Sequence, residues 1–167
     1  MSVTMEEAIG AVKEMLDSRE INYSEDAPTK TMYIFSANFG LTDSKLLNKV
    51  KVLISVIASK KNPELCNRIM SYAAVGLEAN EDNLAAVGEY LHRANYGLAF
   101  GNFELDYDDG KIKYKMAANC VDSLPGFDAI EDMIYLPISM FERYGDGLLA
   151  VNMGIASPKN AIAKIED

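Results

Sequence analysis

Residues 91–116 read LHRANYGLAFGNFELDYDDGKIKYKM, and this stretch combines the end of a helix, a crossing marked by glycines and a β-hairpin. Asp109 and Gly110 are typical of the two central residues of a type I′ turn. With that turn, Asp108 faces Lys111, and the pairs that follow outward oppose apolar residues to apolar residues and acids to lysines. A slip of one residue would oppose charged residues to apolar ones throughout, so the pattern predicts a single register.

The predicted hairpin also assigns a place to its charged residues. They lie on one face of the two strands and are interpreted as a solvated sheet surface, so they require no chemical function. The predicted pairs are Tyr107 with Ile112, Leu105 with Tyr114 and Phe103 with Met116 on the apolar face, and Asp106 with Lys113 and Glu104 with Lys115 on the charged face.

The first half of the chain predicts a helix followed by strands. Thr4 and Glu7 form a capping box, and apolar residues then recur at helical spacing. The stretches 31–39 and 48–59 are rich in β-branched and aromatic residues, which favours two strands. Residues 67–76 predict a weaker third strand, although the segment that leads into it could also begin as a helix.

The second half predicts three helices around the hairpin. One covers 80–97, with Asn80 as its N-cap and Gly97 closing it in a left-handed conformation. A long helix follows the hairpin, and we expect a kink at Pro137 unless the segment forms two helices. Ser157 is the predicted cap of a short final helix.

This order of elements (helix, three strands, helix, two strands, helix) predicts an α+β fold in which an antiparallel sheet of about five strands packs against helices. No linker or repeat divides the chain. We therefore expect one domain over 1–167, with its core at 4–154 and a short helical tail at 155–167.

The first two predicted strands are apolar on both faces. Tyr33 and Phe35 share one side of the first strand, and Leu53 and Ile57 share one side of the second. A strand of this kind is covered on both sides, at least in part. Either the helices of the chain cover both faces, or a second subunit or a partner segment covers one of them. These four residues are the candidate partner or dimer interface.

Charge and composition argue against several classes of partner. The 167 residues carry a net charge of −9, whereas nucleic-acid binding relies on clustered Lys and Arg. The densest basic spots, Lys60 with Lys61 and the alternating Lys111, Lys113 and Lys115, are interpreted as solvated surface. No apolar run reaches the roughly 18 residues of a membrane span, and the first residues lack the features of a secretory signal. We expect no nucleic-acid or membrane partner and a cytoplasmic location.

No constellation of catalytic or metal-binding residues stands out. His92, the single histidine, follows Glu89 at a Glu-x-x-His spacing, but di-iron sites need a second such pair, so His92 is interpreted as a polar helix flank. Cys66 and Cys120 have no further Cys or His at ligand spacing and are interpreted as small buried hydrophobes. The sequence therefore predicts no enzymatic activity, no metal site and no cofactor.

The order of elements also resembles a known family. Together with LHRANYGLAFGNFELDYDDGKIKYK and the later RYGDGLLAVNMG, it is similar to the YbjN family of bacterial sensory transduction regulators, which resembles the type III secretion chaperone fold. The resemblance covers most of 4–154. In such domains a helix ends in an Asn, here Asn95, a Gly-x-Phe segment begins the hairpin, here Gly101 and Phe103, and a tyrosine follows the last long helix, here Tyr144.

The resemblance implies structural roles for two of these residues. Asn95 is expected to satisfy backbone groups at the helix end, and Gly101 to let the chain pass close beneath it. It further implies an α+β domain with the chaperone-like fold, often dimeric, that binds proteins or peptides and lacks catalysis.

Three functional hypotheses follow from these observations. The leading one is a non-catalytic protein-binding module, chaperone-like or regulatory, that acts as a homodimer. The alternative is a small-ligand-binding or enzymatic domain with a pocket between the helices and the sheet. A third possibility is a structural subunit of a larger assembly.

Overall fold

The computed structural model describes residues 2–44 and 46–166, and these form the predicted α+β fold around one antiparallel sheet. The elements, in chain order, are helix α1 (Met5–Ser18), strands β1 (Ser24–Glu25), β2 (Met32–Gly40), β3 (Lys49–Ala58) and β4 (Cys66–Ala74), helix α2 (Leu84–Tyr96), strands β5 (Asn102–Leu105) and β6 (Ile112–Asn119), and helices α3 (Phe127–Asn152) and α4 (Pro158–Glu166).

The sheet has six strands in the order β1-β2-β3-β4-β6-β5. The strand that the sequence did not predict is β1, a two-residue strand that covers part of the outer edge of β2. Its Ser24 hydroxyl lies 2.7 Å from the hydroxyl of Ser36 across the pair. So short a segment carries no periodicity of its own, and pairing with β2 determines its conformation.

Both predicted caps at the ends of the chain are confirmed. The Thr4 hydroxyl accepts a hydrogen bond from the backbone N–H of Glu7 at 3.1 Å, and the Glu7 carboxylate accepts from the backbone N–H of Thr4 at 2.8 Å. The Ser157 hydroxyl accepts from the backbone N–H of Asn160 at 3.3 Å, and α4 begins at the next residue after Ser157. Between them, α3 runs without a break through Pro137, so the alternative of two helices is wrong.

The predicted left-handed end of α2 is also wrong. Gly97 has a φ of −98°, because the helix ends in a turn in which the Leu98 N–H donates to the Asn95 carbonyl at 3.2 Å, and such a turn requires no positive φ. The left-handed glycine of this crossing is Gly101, with a φ of +69°. Asn80 does cap the preceding 3-10 turn, accepting from the Asp82 N–H at 3.1 Å.

The hairpin register differs from the predicted one by two residues. Phe103 pairs with Tyr114 and Leu105 pairs with Ile112. A shift of two residues preserves the face on which each side chain lies, so the separation into an apolar and a charged face is as predicted. The predicted ion pair between Glu104 and Lys115 is present as well, although the backbone of Glu104 pairs with Lys113.

A longer connection replaces the predicted type I′ turn. The Gly110 N–H donates to the Asp106 carbonyl at 2.8 Å, which makes 107–110 a four-residue loop. The Asp106 carboxylate stabilises this loop by accepting from the Asp108 N–H at 2.9 Å. Gly110 also packs against the preceding chain, where its carbonyl accepts from the Ala79 N–H at 2.8 Å. The Asp106 side chain and the contact with Ala79 therefore determine the conformation of this loop, and the local preference of Asp109 and Gly110 for a type I′ turn does not.

The core lies between one face of the sheet and the helices. We call this the covered face, and its aromatic centre is Phe103, whose ring packs edge-on against Tyr114, Phe141 and Tyr144 at 4.9, 5.5 and 5.9 Å between centroids. Strand β3 contributes alternate residues from Val50 to Ala58 to the same core. No helix among the described residues lies on the other face of the sheet, and this face defines the candidate site.

Candidate protein-binding face

The open face is the side of the sheet opposite the helices. Because side chains alternate along a strand, every second residue of β2, β3, β4 and β6 points to this side. Cross-strand pairing aligns Ile34 with Ser55 and Ser55 with Met70, and it aligns Leu53 with Tyr72 in the neighbouring row. The apolar members of the open face are Met32, Ile34, Leu53, Ile57, Met70, Tyr72, Ala74 and Ala117.

Burial separates the two faces sharply within a single strand. Ile54 and Val56 of β3 are 2% and 0% exposed, respectively. Their neighbours Leu53 and Ile57, which point the other way, remain partly exposed and do not pack against the core cluster. A contiguous apolar area without a cover is unusual on a monomeric domain and typically marks an interaction site.

Basic side chains on three strands border the apolar part of the open face, and we call them the basic rim. They are Lys49 and Lys51 on β3, Arg68 on β4, and Lys113 and Lys115 on β6. Glu104 is the one acidic strand residue on this side among those that the structure describes, and it pairs with Lys115. The open face is therefore positive on a chain whose net charge is −9.

A shallow depression of about 200 Å³ lies within the open face. It is lined by Lys51, Leu53, Tyr72, Ala74 and Lys113. The Lys113 ammonium lies 4.7 Å from the centroid of the Tyr72 ring, where the electron-rich face of the ring attracts the cation. The depression thus combines an apolar floor with two cationic sides.

The four predicted interface residues do not form one surface. Leu53 and Ile57 lie on the open face, as required of an interface. Phe35 is 1% exposed on the covered face and packs edge-on against Tyr23 at 5.6 Å. Tyr33 lies on that face too, where its hydroxyl bonds to the Glu25 carboxylate. Phe35 and Tyr33 are therefore explained by packing within the chain.

The residues that carry the family resemblance do come together. The Asn95 side chain accepts from the Phe103 N–H at 2.7 Å and donates to the Phe103 carbonyl at 2.9 Å. The backbone groups that it satisfies therefore belong to β5, and the expectation that they lie at the helix end is wrong. Tyr144 lies within α3, so the expectation that it follows the last long helix is wrong. It packs against the Phe103 ring and donates its hydroxyl to Glu166 at 3.1 Å. A Cβ at Gly101 would lie 2.7 Å from the Lys115 carbonyl oxygen, so the close passage expected there is confirmed.

Asn95 has a consequence for association as well. Strand β5 is at the edge of the sheet, where unpaired backbone groups invite a further strand. By engaging both backbone groups of Phe103, Asn95 blocks that edge. This leaves the open face as the better place for a partner than strand addition at β5.

Among the described residues, the single histidine and the two cysteines lie in different parts of the fold. His92 is exposed on α2, as its interpretation as a helix flank predicted. It borders a cleft of about 400 Å³ between α2 and the hairpin, in which both polar atoms of the Asn95 amide already bind Phe103. Within residues 2–44 and 46–166, no three His, Cys, Asp or Glu side chains are placed to hold a metal ion.

The two cysteines are free and buried, which confirms their interpretation as small core residues. The sequence did not show that they are neighbours. The neighbouring Cys120 side chain and burial raise the pKa of the Cys66 thiol. Cys66 is therefore protonated near neutral pH and is a poor nucleophile.

Met70 and the basic rim are the site residues that the sequence reasoning missed. The lysines of β6 were interpreted only as solvated surface, and Arg68 was assigned no role. The sequence signal for the basic rim is charge at alternate positions of the strands. Lys51 in β3 and Lys113 in β6 alternate with buried residues, so they lie on the face that is not buried.

Comparisons with known proteins add no relative. No protein-family model matches the chain, and no curated protein is significantly similar to it. The resemblance to the YbjN family therefore stays a prediction from the residues of the hairpin and the last long helix. Over the part of the chain that the structure describes, no helix is both long and apolar enough to span a lipid bilayer.

Proposed function

We propose that this protein is a non-catalytic protein-binding module, chaperone-like or regulatory, whose partner covers the open face. The observation that carries the proposal is the group of partly exposed apolar side chains around Leu53 and Met70, which no described helix or strand covers. The predicted cytoplasmic location is part of the same proposal. The homodimer remains the expectation for its oligomeric state.

The size of the apolar area sets the kind of contact. From β2 to β6 there are three strand spacings of about 4.8 Å, or about 14 Å, and from Lys51 to Ile57 the strand rises about 20 Å. The product of these two lengths is smaller than the ~800 Å² of surface that each partner contributes to a standard interface. The basic rim must therefore take part in binding.

Partner capture tests the proposal. The tagged wild-type protein, Leu53→Asp and Ile155→Asp would be exposed to lysate of the source, and a retained protein would be purified and titrated against all three by calorimetry. Ile155 is 72% exposed in the turn after α3 and receives the same substitution outside the open face. We expect Leu53→Asp to lose binding and Ile155→Asp to retain it.

Two results would contradict the proposal. One is a purified partner that binds Leu53→Asp as tightly as it binds the wild type. The other is a partner whose binding is lost in Ile155→Asp alone, which would place the interaction at the helical end of the molecule. Far-UV circular dichroism of both variants would verify that each retains its fold.

A further inference from the structure

We infer that the occupant of the open face is an amphipathic, acidic helix of another protein. This inference rests on the proposed function and specifies the chemistry of the partner. Its basis is the charge of the rim, the dimensions of the apolar area and the way in which the same sheet is covered on its other side.

The charge of the open face is opposite to that of the chain. Five cations on β3, β4 and β6 point to this side, together with one strand carboxylate among the described residues, that of Glu104. The rest of the chain must then be more acidic than its net charge of −9 suggests. A complementary partner presents carboxylates beside its apolar residues.

The cations that line the depression are available to such a partner. Among the described residues, Lys51 and Lys113 each have no carboxylate within ion-pairing distance. Lys115 is already paired with Glu104. At the other end of the apolar area, Arg68 pairs across the sheet with Ile57 and Asn119. Positive charge therefore bounds the apolar area at both of its ends.

The dimensions of the apolar area fit one helix. A helix about 10 Å wide that spans about 20 Å contains roughly 14 residues, which matches the extent worked out above. The covered face of the same sheet provides the precedent, since α1 and α3 lie on it and bury an apolar stripe there. In an α+β domain the helices lie on one face of the antiparallel sheet, so the opposite face is free to take a helix from a partner.

A second copy of this chain fits the open face less well. In a two-fold symmetric dimer the same patch meets itself. Face-to-face contact would bring the two rims of lysine and arginine together, and like charges at an interface oppose association. The homodimer expected from the sequence would then need a different surface.

Two synthetic helical peptides test the inference. Both carry the same leucine stripe, but one has glutamate at every flanking position and the other has lysine. Fluorescence anisotropy would measure their binding to the wild type, to the double variant Lys51→Glu/Lys113→Glu, and to the control Lys60→Glu/Lys61→Glu, which makes the same charge change in an exposed loop. We expect the wild type to prefer the glutamate peptide by about tenfold or more.

The variants assign that preference to the rim. Lys51→Glu/Lys113→Glu should abolish or reverse it, and Lys60→Glu/Lys61→Glu should retain it. If the wild type binds both peptides equally, or binds neither, the inference that the partner is an acidic helix is overturned. If both bind equally and Leu53→Asp abolishes both, the proposed function stands and only the partner chemistry is wrong.

The oligomeric state provides the remaining outcome. Light scattering would measure the mass of the wild type and of Leu53→Asp at the concentration used for binding. A dimer of the wild type that Leu53→Asp dissociates would place a second copy on the open face and overturn the inference. A mass unchanged by the substitution supports it.

Discussion

Gly101 combines a left-handed backbone conformation with little room for a side chain. Its φ is +69°, and an added Cβ would lie 2.6 Å from the Tyr114 ring, 2.7 Å from the Lys115 carbonyl oxygen and 2.7 Å from Met116. The carbonyl belongs to a paired strand and has little freedom to move. Gly101→Ala should therefore destabilise the fold through both conformation and crowding.

Two other glycines separate these contributions. Gly76 has a φ of +73° but no atom within 4 Å of an added Cβ, and Gly97 has neither a positive φ nor a close neighbour. Gly76→Ala should cost about 1 kcal/mol for the left-handed conformation alone. Gly101→Ala adds overpacking of about 1–3 kcal/mol, for a total of about 2–4 kcal/mol. Gly97→Ala should be neutral or slightly stabilising, by up to about 1 kcal/mol.

Urea denaturation followed by far-UV circular dichroism would measure all three, since the chain has no tryptophan for fluorescence. The free energies of unfolding are comparable if the dependence on urea is the same for each variant. If Gly101→Ala and Gly76→Ala lower the free energy of unfolding by the same amount within about 0.5 kcal/mol, crowding at Gly101 does not contribute to the loss, and the prediction is wrong.

Two further predictions concern polar contacts in the fold. Asn95→Leu leaves the Phe103 N–H unpaired and removes one of the two side-chain hydrogen bonds to the Phe103 carbonyl, the other coming from Asn102, so it should cost about 1–3 kcal/mol in urea denaturation; a loss below about 0.5 kcal/mol would contradict the role of Asn95. Burial opposes ionisation of Glu142, but hydrogen bonds from the backbone N–H groups of Thr42, Ser44 and Asp43 prevail and lower its pKa. A lowered pKa in the folded state stabilises the protein above the unfolded value of about 4.3, and this stability is lost as the pH falls through the folded value. Glu142→Gln should therefore lose about 1–3 kcal/mol at pH 7, with a gap to wild type that narrows toward pH 3; a constant gap would contradict this origin.

The sequence predicts the elements and the face of each strand residue well, because both depend on local periodicity. The capping box at Thr4, the cap at Ser157 and the alternation along β3 follow from residues close in the chain. The register of the hairpin does not, since Gly110 is held by a contact with Ala79, which no local pattern contains.

The candidate site was predictable only in part. Apolar residues on both sides of β3 show that each face needs a cover, but not which one the helices supply. The sequence thus groups Leu53 and Ile57 with Phe35, which is buried on the covered face. The distance between Cys66 and Cys120 along the chain similarly hides their proximity, which only the pairing of β4 with β6 creates.

The central claim is that the open face is exposed in the free protein and covered by its partner. Hydroxyl-radical footprinting with mass spectrometry of the free protein and of the partner complex would measure this directly. Met70 and Tyr72 on the open face should be modified in the free protein and protected in the complex, while Met153, 61% exposed elsewhere, should be modified equally in both. Modification of Met70 and Tyr72 that is the same with and without the partner would contradict the account.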